Sequence, residues 1–439
     1  MRTIYLDCTR TFQTHVHTGI ERMVSGLLHA APQLAEQFQV RCQPLVFRTA
    51  TGFEPLTPQM VTDRFRPRDP HAPARVSWKQ KLRRQVDRVG LMEVARSTRN
   101  VFDATAETVL APVRGCFPPR VEFQPGDLMV LLDVNVRSHY WPDLHRARRA
   151  GAEICQCVCD LIPLSHPEAV DGGVVRDFTR WWRNVTAVCG SYICISQATW
   201  REVQSHLPPG SEGVRGTSFR LGVGLDKMSG QVAPRAELQA AFQQPPTRPV
   251  YLTVGMMSPR KNHALALDAL ERLWPDPDGP ALVIVGKFGW RCEEVARRIR
   301  QHPELNRRLF WFESVTDDEL DYCYRHATAT LSTSFAEGFN LPIVESLSRG
   351  TPMIATDIPT HREVGGRFAT YFPVHDAAAL AAVLRDPELA RARQQVRPAR
   401  EFAWPDWTGS THEFLQRLGE LSRGVAAASP EVRPLARAA

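Results

Sequence analysis

Ser332-Thr-Ser-Phe-Ala-Glu-Gly-Phe-Asn-Leu-Pro-Ile-Val-Glu345 carries two glutamates, Glu337 and Glu345, on either side of a glycine-containing turn. The residues leading into it, 327–332 (ATATLS), are short-chained, apolar and tolerant of extended backbone, the pattern of a buried strand. Pro342 suits the first turn of a helix, where its missing N–H needs no partner. That helix carries Ile343, Val344 and Leu347 inward. It stops at Gly350, where glycine takes the left-handed cap and Pro352 cannot continue the turn. A strand therefore runs through a tight turn into a helix. Backbone N–H groups around Gly338, Phe339, Asn340 and Leu341 face the carboxyl end of the strand, where the positive end of the helix dipole suits an anion. Glu345, one turn in, is placed to accept from a vicinal diol, and Glu337 occupies the turn itself.

The same alternation extends outward from this unit. In the second half, strands near 250–255, 281–286, 308–312, 328–332, 353–356 and 369–372 alternate with helices near 263–273, 291–301, 316–326, 342–349 and 376–385. This is the pattern of a parallel, doubly wound α/β sheet. The first half repeats it less regularly, with strands near 3–7, 38–47, 127–132, 153–159 and 191–195 and helices near 19–31, 173–187 and 197–206. Residues 243–249 (QQPPTRP) read as a linker, because the prolines prevent either regular element. The expected organisation is a first domain over 1–240 with an insertion at 64–99, a second over 249–403, a helix over 404–424 returning to the first, and a tail over 425–439.

Composition bounds the class. The chain has 439 residues, above the size at which one core splits, so two domains of roughly 200 residues are expected. No N-terminal segment joins a basic start to an apolar core, and no run of about 18 apolar residues occurs, so a cytoplasmic protein is expected. Ten cysteines are too few for a disulfide scaffold of this length. Cys155, Cys157 and Cys159 share one face of a strand, which invites a metal reading. No histidine follows at zinc-like spacing, and three small core side chains fit better. Asp276 and Asp278 form a literal Asp-x-Asp, but Pro275, Pro277, Gly279 and Pro280 make it a turn after a helix. Neither a metal site nor a cofactor is expected.

Cations come from residues 254–262 (VGMMSPRKN), where an apolar strand passes through Gly255 into a helix. Arg260 and Lys261 stand at the mouth of that loop and Asn262 is placed to cap the helix. An anionic ligand there meets two charges and a dipole.

The Glu337 and Glu345 pair resembles the Glu-x7-Glu motif of retaining glycosyltransferases of the GT-B fold, family 4. Residues 254–262 are similar to that family's diphosphate loop, and 355–365 (ATDIPTHREVG) to the segment after its second glutamate. Weaker likenesses run through 18–22, 160–164, 195–199 and 221–224 in family order, so the resemblance spans nearly the whole chain. It implies two Rossmann-like domains facing a cleft, a nucleoside diphosphate sugar as donor, and retaining transfer to a hydroxyl of a glycan or lipid-linked glycan without a metal. Lys261, Arg260 and the helix N–H groups then stabilise the departing diphosphate, Glu337 holds the donor sugar, and Glu345 holds the ribose. Gly19 and Arg22 lie, by the family pattern, where the first domain approaches the phosphates. The chain departs from that pattern twice, with Met256 where many members have an arginine and Cys159 where the family places a histidine. Asp160 binds donor or acceptor or else caps a strand end, and His139 is the candidate substitute for the absent histidine.

The charge is uneven. The net charge is +7, yet residues 64–99 hold eleven Lys or Arg against three Asp or Glu. Trp78, Leu82, Val86, Val89 and Met92 make an apolar stripe on a helix studded with cations. Such a helix either packs on the first domain or lies on anionic lipid at the inner face of the membrane. Nothing in it resembles a nucleic-acid recognition module. The sequence around 338–342 and 160–163 looks most like enzymes using GDP-mannose in surface polysaccharide assembly, such as lipopolysaccharide or capsule, with dTDP-rhamnose or a UDP-hexose open as donors. Two alternatives stay open: an epimerase of the same fold acting on sugar nucleotides, and a subunit that binds a glycan or partner without turnover.

Overall fold

A computed structural model describes residues 1–14, 19–65, 121–135, 140–224, 233–245, 248–386 and 401–424. The expected GT-B architecture is present as two parallel-sheet α/β domains. In the first, β1 (Arg2–Asp7), β2 (Val40–Arg48), β3 (Gly52–Pro55), β4 (Leu128–Leu131), β5 (Glu153–Val158), β6 (Ser191–Cys194) and β7 (Arg215–Ser218) lie in the order β3-β2-β1-β4-β5-β6-β7. Only β3 runs antiparallel to its neighbour. In the second, β8 (Val250–Val254), β9 (Ala281–Val285), β10 (Leu309–Phe312), β11 (Ala329–Ser332), β12 (Met353–Thr356) and β13 (Ala369–Phe372) are all parallel, in the order β10-β9-β8-β11-β12-β13. The central strands are apolar along their whole length, as in the LMVL of β4 and the ALVIV of β9, because helices cover both sheet faces.

Helices of the first domain are α1 (Thr9–Gln13), α2 (Gly19–Leu34), α3 (Pro58–Arg64), α4 (Tyr140–Arg149), α5 (Ile162–Ser165), α6 (Gly172–Val188) and α7 (Gln197–His206). Those that follow are α8 (Ala236–Phe242), α9 (His263–Glu271), α10 (Glu293–Arg300), α11 (Asp317–His326), α12 (Leu341–Leu347), α13 (Pro359–Gly365), α14 (Ala377–Arg385) and α15 (Trp407–Ser422). Several starts are fixed by side chains: Ser196 caps α7, Asp376 caps α14, and Thr316 with Glu319 forms a reciprocal capping box on α11.

One feature moves the expected domain limits. Leu238 and Ala241 of α8 are buried with Val250, Leu252 and Tyr324, so the second domain begins ahead of the linker expected at 243–249. The expected end of the first domain at 240 falls inside that helix. At the other end, α15 returns to the first domain, where Phe414 packs edge-on against Phe219 at 5.0 Å between centroids.

Each sheet reverses its winding once, between β1 and β4 and between β8 and β11. Loops leaving the carboxyl ends of such a strand pair diverge and open a crevice. In the second domain those loops are 255–262 and 333–340.

Candidate functional site

The two loops are tied before any side chain reaches a ligand. Phe335 N donates to Arg260 O at 3.0 Å, and Thr333 Oγ1 donates to Lys261 O at 2.8 Å. Gly255 opens the first loop at φ +145°, a backbone setting that favours glycine. The chain then makes a short 3-10 turn over Pro259–Lys261 and enters α9. Asn262 does not cap that helix as its position suggests. It adopts φ 48°, ψ 51°, makes no capping hydrogen bond, and its amide lies 3.5 Å from His375 Nδ1.

Arg260, Lys261 and Glu337 meet at the centre. Lys261 Nζ lies 2.6 Å from Glu337 Oε1, Ser334 Oγ donates to the same oxygen at 2.8 Å, and Arg260 pairs with Oε2. Burial alone pushes the Glu337 carboxyl up, but the two cations outweigh it and hold the pKa at about 2. Burial likewise lowers the Lys261 pKa, against the pull of Glu337. The two cations therefore face a permanent carboxylate.

A second layer supports this group. Lys261 Nζ donates to Asn340 Oδ1 at 3.3 Å, and Asn340 Nδ2 donates to Ser332 Oγ at 2.7 Å. His361, fully buried, has Nδ1 2.9 Å from Thr356 O and Nε2 2.8 Å from Asn340 Nδ2. A carbonyl only accepts, so Nδ1 carries the proton and Nε2 accepts from Asn340. Burial lowers the His361 pKa to about 4 and keeps the ring neutral. Thr360 Oγ1 donates to Glu337 O at 2.7 Å. None of Ser334, Thr360 or His361 was assigned a role from sequence, though Thr360 and His361 lie in the segment that resembles the family.

Glu345 is 3% exposed and bonded on both oxygens. Arg22 Nη1 reaches Oε1 at 2.6 Å from α2 of the first domain, and Tyr324 Oη donates to Oε2 at 2.6 Å. Arg22 also lies 3.5 Å from Asp317. Arg22 thus meets the glutamate proposed for the ribose. Gly19 stands beside Leu341, whose Cδ1 would be 3.4 Å from a Cβ at that position. Phe339 is buried with its ring 5.9 Å from Trp404.

The first domain closes on the turn at Gly338, which sits against Cys159 and Asp160. Ser196 Oγ and Thr199 Oγ1 donate to Gly338 O at 2.7 and 3.1 Å. Asp160 Oδ1 accepts from Ile162 N at 3.2 Å, at the start of α5. Burial raises its pKa, and Arg260 across the cleft is the strongest opposing influence. Asp160 thus caps a helix start and also feels the cation pair.

Other candidates sort as follows. His139 lies outside the described residues, as does the insertion beyond Phe65 together with its apolar stripe. Arg64, the first cation of that insertion, is an internal anchor bonded to Thr11 O at 2.6 Å, Phe12 O at 2.9 Å and Glu21 at 2.7 Å. Cys155 and Cys157 are buried, and Asp278 N donates to Asp276 Oδ1 at 3.0 Å within a turn. Among the described residues no cluster of His, Cys, Asp or Glu is arranged to hold a metal ion, and no helix is long and apolar enough to cross a membrane.

Residues 234–396 match the family model for glycosyl transferases group 1. The serotype-specific mannosyltransferase WbdA of Escherichia coli is 31% identical over 309 residues, which is 68% of this chain and 38% of WbdA. The O-antigen chain mannosyltransferase B of Escherichia coli is 30% identical over 168 residues, 36% of this chain and 44% of that protein. The chain thus spans less than half the length of these curated relatives. Among solved structures, sucrose-phosphate synthase from Thermosynechococcus elongatus superimposes with TM-score 0.58 at 18% identity, covering 96% of this chain and 98% of that one. Anabaena HepE in complex with UDP-glucose gives TM-score 0.56 at 14% identity, covering 96% and 100%. At these identities the structural likeness speaks for the fold.

Proposed function

The chain is a GT-B glycosyltransferase homologue that resembles bacterial polysaccharide mannosyltransferases, and on that premise we propose that it transfers a hexosyl group with retention to a hydroxyl of a growing surface polysaccharide or lipid-linked glycan. Mannose from GDP-mannose is the preferred donor assignment. The relatives' names support the sugar, and the sequence around 338–342 and 160–163 supports the nucleotide. The observation that carries the reading is the Arg260–Glu337–Lys261 group, held at the switch point of the second sheet opposite Asp160.

In this reading the donor diphosphate lies against Gly255, Arg260 and Lys261 and draws the cations away from Glu337. As the anomeric bond lengthens, negative charge grows on the diphosphate and those cations stabilise it. Glu337, released from one partner, accepts from the donor sugar's hydroxyls. In the unliganded site Arg260 and Lys261 hold its pKa at about 2, so it meets the donor as a carboxylate. Asn340, fixed by His361, holds Lys261 in register. Two cations supply the charge neutralisation, so transfer proceeds in the presence of chelator. Glu345 accepts from the ribose after Arg22 gives way. The acceptor approaches from the first domain at the inner membrane face, past Asp160.

A thermal-shift and hydrolysis panel tests the reading, using GDP-mannose, GDP-fucose, dTDP-rhamnose, UDP-glucose and UDP-N-acetylglucosamine with and without EDTA. GDP-mannose is expected to stabilise the fold and slowly release GDP in both conditions. Stabilisation by another donor would replace the mannosyl assignment. Strict loss of turnover with EDTA would overturn the metal-independent one.

A further inference from the structure

The amino terminus of α7, in the first domain, is capped from the second. Glu363 of α13 accepts from Gln197 N at 2.6 Å through Oε1 and from Ala198 N at 2.8 Å through Oε2. Ser196 Oγ takes the next N–H, that of Thr199, at 3.0 Å. A helix start leaves four N–H groups without partners and carries partial positive charge, which a carboxylate satisfies in both respects. Here two of those donors depend on a residue more than 160 positions away on the other side of the cleft. The hydroxyls of Ser196 and Thr199 return the contact by donating to Gly338 O.

The same short helix holds the donor turn. Thr360 donates to Glu337 O and His361 bonds the side chain of Asn340, which in turn meets Lys261. Within four consecutive residues α13 therefore grips the carbonyl of the proposed sugar-binding Glu337, the side chain of Asn340 that holds Lys261, and the first domain. The cross-domain grip is partly buried and desolvates Glu363, which raises its pKa.

We infer that Glu363 is a positioning residue that latches α13 to α7, so that closure of the first domain sets the Glu337 turn in its working geometry. The inference rests on the glycosyl-transfer reading of that turn. With the latch broken, Arg260 and Lys261 still meet a diphosphate, whereas Glu337 and Asn340 lose the support that α13 draws from the first domain, and the turn is left with the Ser196 and Thr199 bonds to Gly338 O.

The test compares wild type with Glu363→Ala, Glu363→Gln and Gln197→Pro. It measures kcat and KM for GDP-mannose, the Kd of free GDP, and the radius of gyration by small-angle scattering with GDP bound. Glu363→Ala is expected to lower kcat by about tenfold or more, to leave the GDP Kd within about threefold, and to enlarge the radius of gyration. Glu363→Gln keeps one accepting oxygen and falls between. Gln197→Pro removes one of the two latch donors at the first helical position, where proline is tolerated, and shifts the same readings in the same direction, which covers the case of Glu363→Ala failing to fold. Unchanged kcat and scattering in Glu363→Ala would overturn the latch. A parallel fall in kcat, GDP affinity and Tm would reduce Glu363 to a structural residue. If wild type turns over no donor, the functional reading fails while the scattering comparison still decides whether the latch exists.

Discussion

The carbonyl oxygen of Cys159 lies 1.8 Å from the place a Cβ on residue 338 would take, so only glycine fits at Gly338. The obstacle is main chain at the end of β5, and it cannot rotate away as a side chain would. Gly338→Ala therefore displaces the turn or parts the domains. Displacements near 1 Å cost about 100-fold in rate, and that loss in kcat is expected here. Because Gly338 is buried beside Phe339, in a core cluster that joins residues of both domains, Tm should fall as well. Activity within twofold of wild type would show that the cleft is wider in solution.

Under the proposed reading, Glu337 and a donor diphosphate compete for the two cations that Glu337 now pairs with. Glu337→Gln removes the resident anion, so free GDP should bind about three- to tenfold tighter while transfer falls about 100-fold or more. Lys261→Met should do the reverse to binding, weakening GDP by about tenfold or more. Titration calorimetry on both variants separates the effects. If Glu337→Gln weakens GDP instead, the carboxylate does not compete with the phosphates.

Glu345 is engaged by Arg22 and Tyr324 before any ribose arrives. If its carboxylate accepts from the ribose, wild type should prefer the ribonucleotide donor over its 2′-deoxy analogue, and Glu345→Ala should erase that preference. A KM rise of about tenfold is expected for the ribonucleotide in the variant. Preference surviving in Glu345→Ala would assign ribose recognition elsewhere. Arg22→Lys should lower KM if breaking the ion pair limits donor entry, and raise it if Arg22 itself touches the donor.

What was legible in the sequence followed from local periodicity. The turn around Glu337 and Glu345 and the strands of both sheets are apolar runs of ordinary length with clear punctuation. β3 and β7 escaped because GFEP and RGTS are short edge strands without an apolar run. Helix α4 escaped because YWPDLHRARR mixes an early proline with dense charge. The partners across the cleft were not legible from local pattern, although the family resemblance had brought Gly19 and Arg22 toward the phosphates. Arg22 and Glu345 are 323 positions apart, and Glu363 with Gln197 is 166 apart, so no window joins them. Glycine at 338 reads locally as a turn residue, yet its necessity comes from a carbonyl in the other domain.

Asp7 and Asp133 form a buried carboxyl pair at the ends of β1 and the segment after β4, outside the donor site. Tyr140 Oη donates to Asp7 Oδ2, Thr9 Oγ1 donates to Oδ1 at 2.5 Å, and Thr11 N donates to Asp133 Oδ2 at 2.7 Å. Burial first, and then the charge of Asp133, push the Asp7 pKa up to about 7 from an ordinary value of 3.8. A carboxyl with a raised folded pKa adds stability that is complete below its unfolded value and is lost as pH rises through its folded value. The contribution of Asp7 is therefore lost between about pH 4 and pH 7. Asp7→Asn keeps the shape and the acceptor for Thr9 without the titration. The stability of Asp7→Asn relative to wild type should therefore grow between pH 5 and pH 8, by on the order of 2 kcal/mol. Urea unfolding of both proteins at the two pH values measures it. A gap that stays constant would mean that Asp7 is ionised throughout, and that Thr9 and Tyr140 stabilise the charge more than burial opposes it.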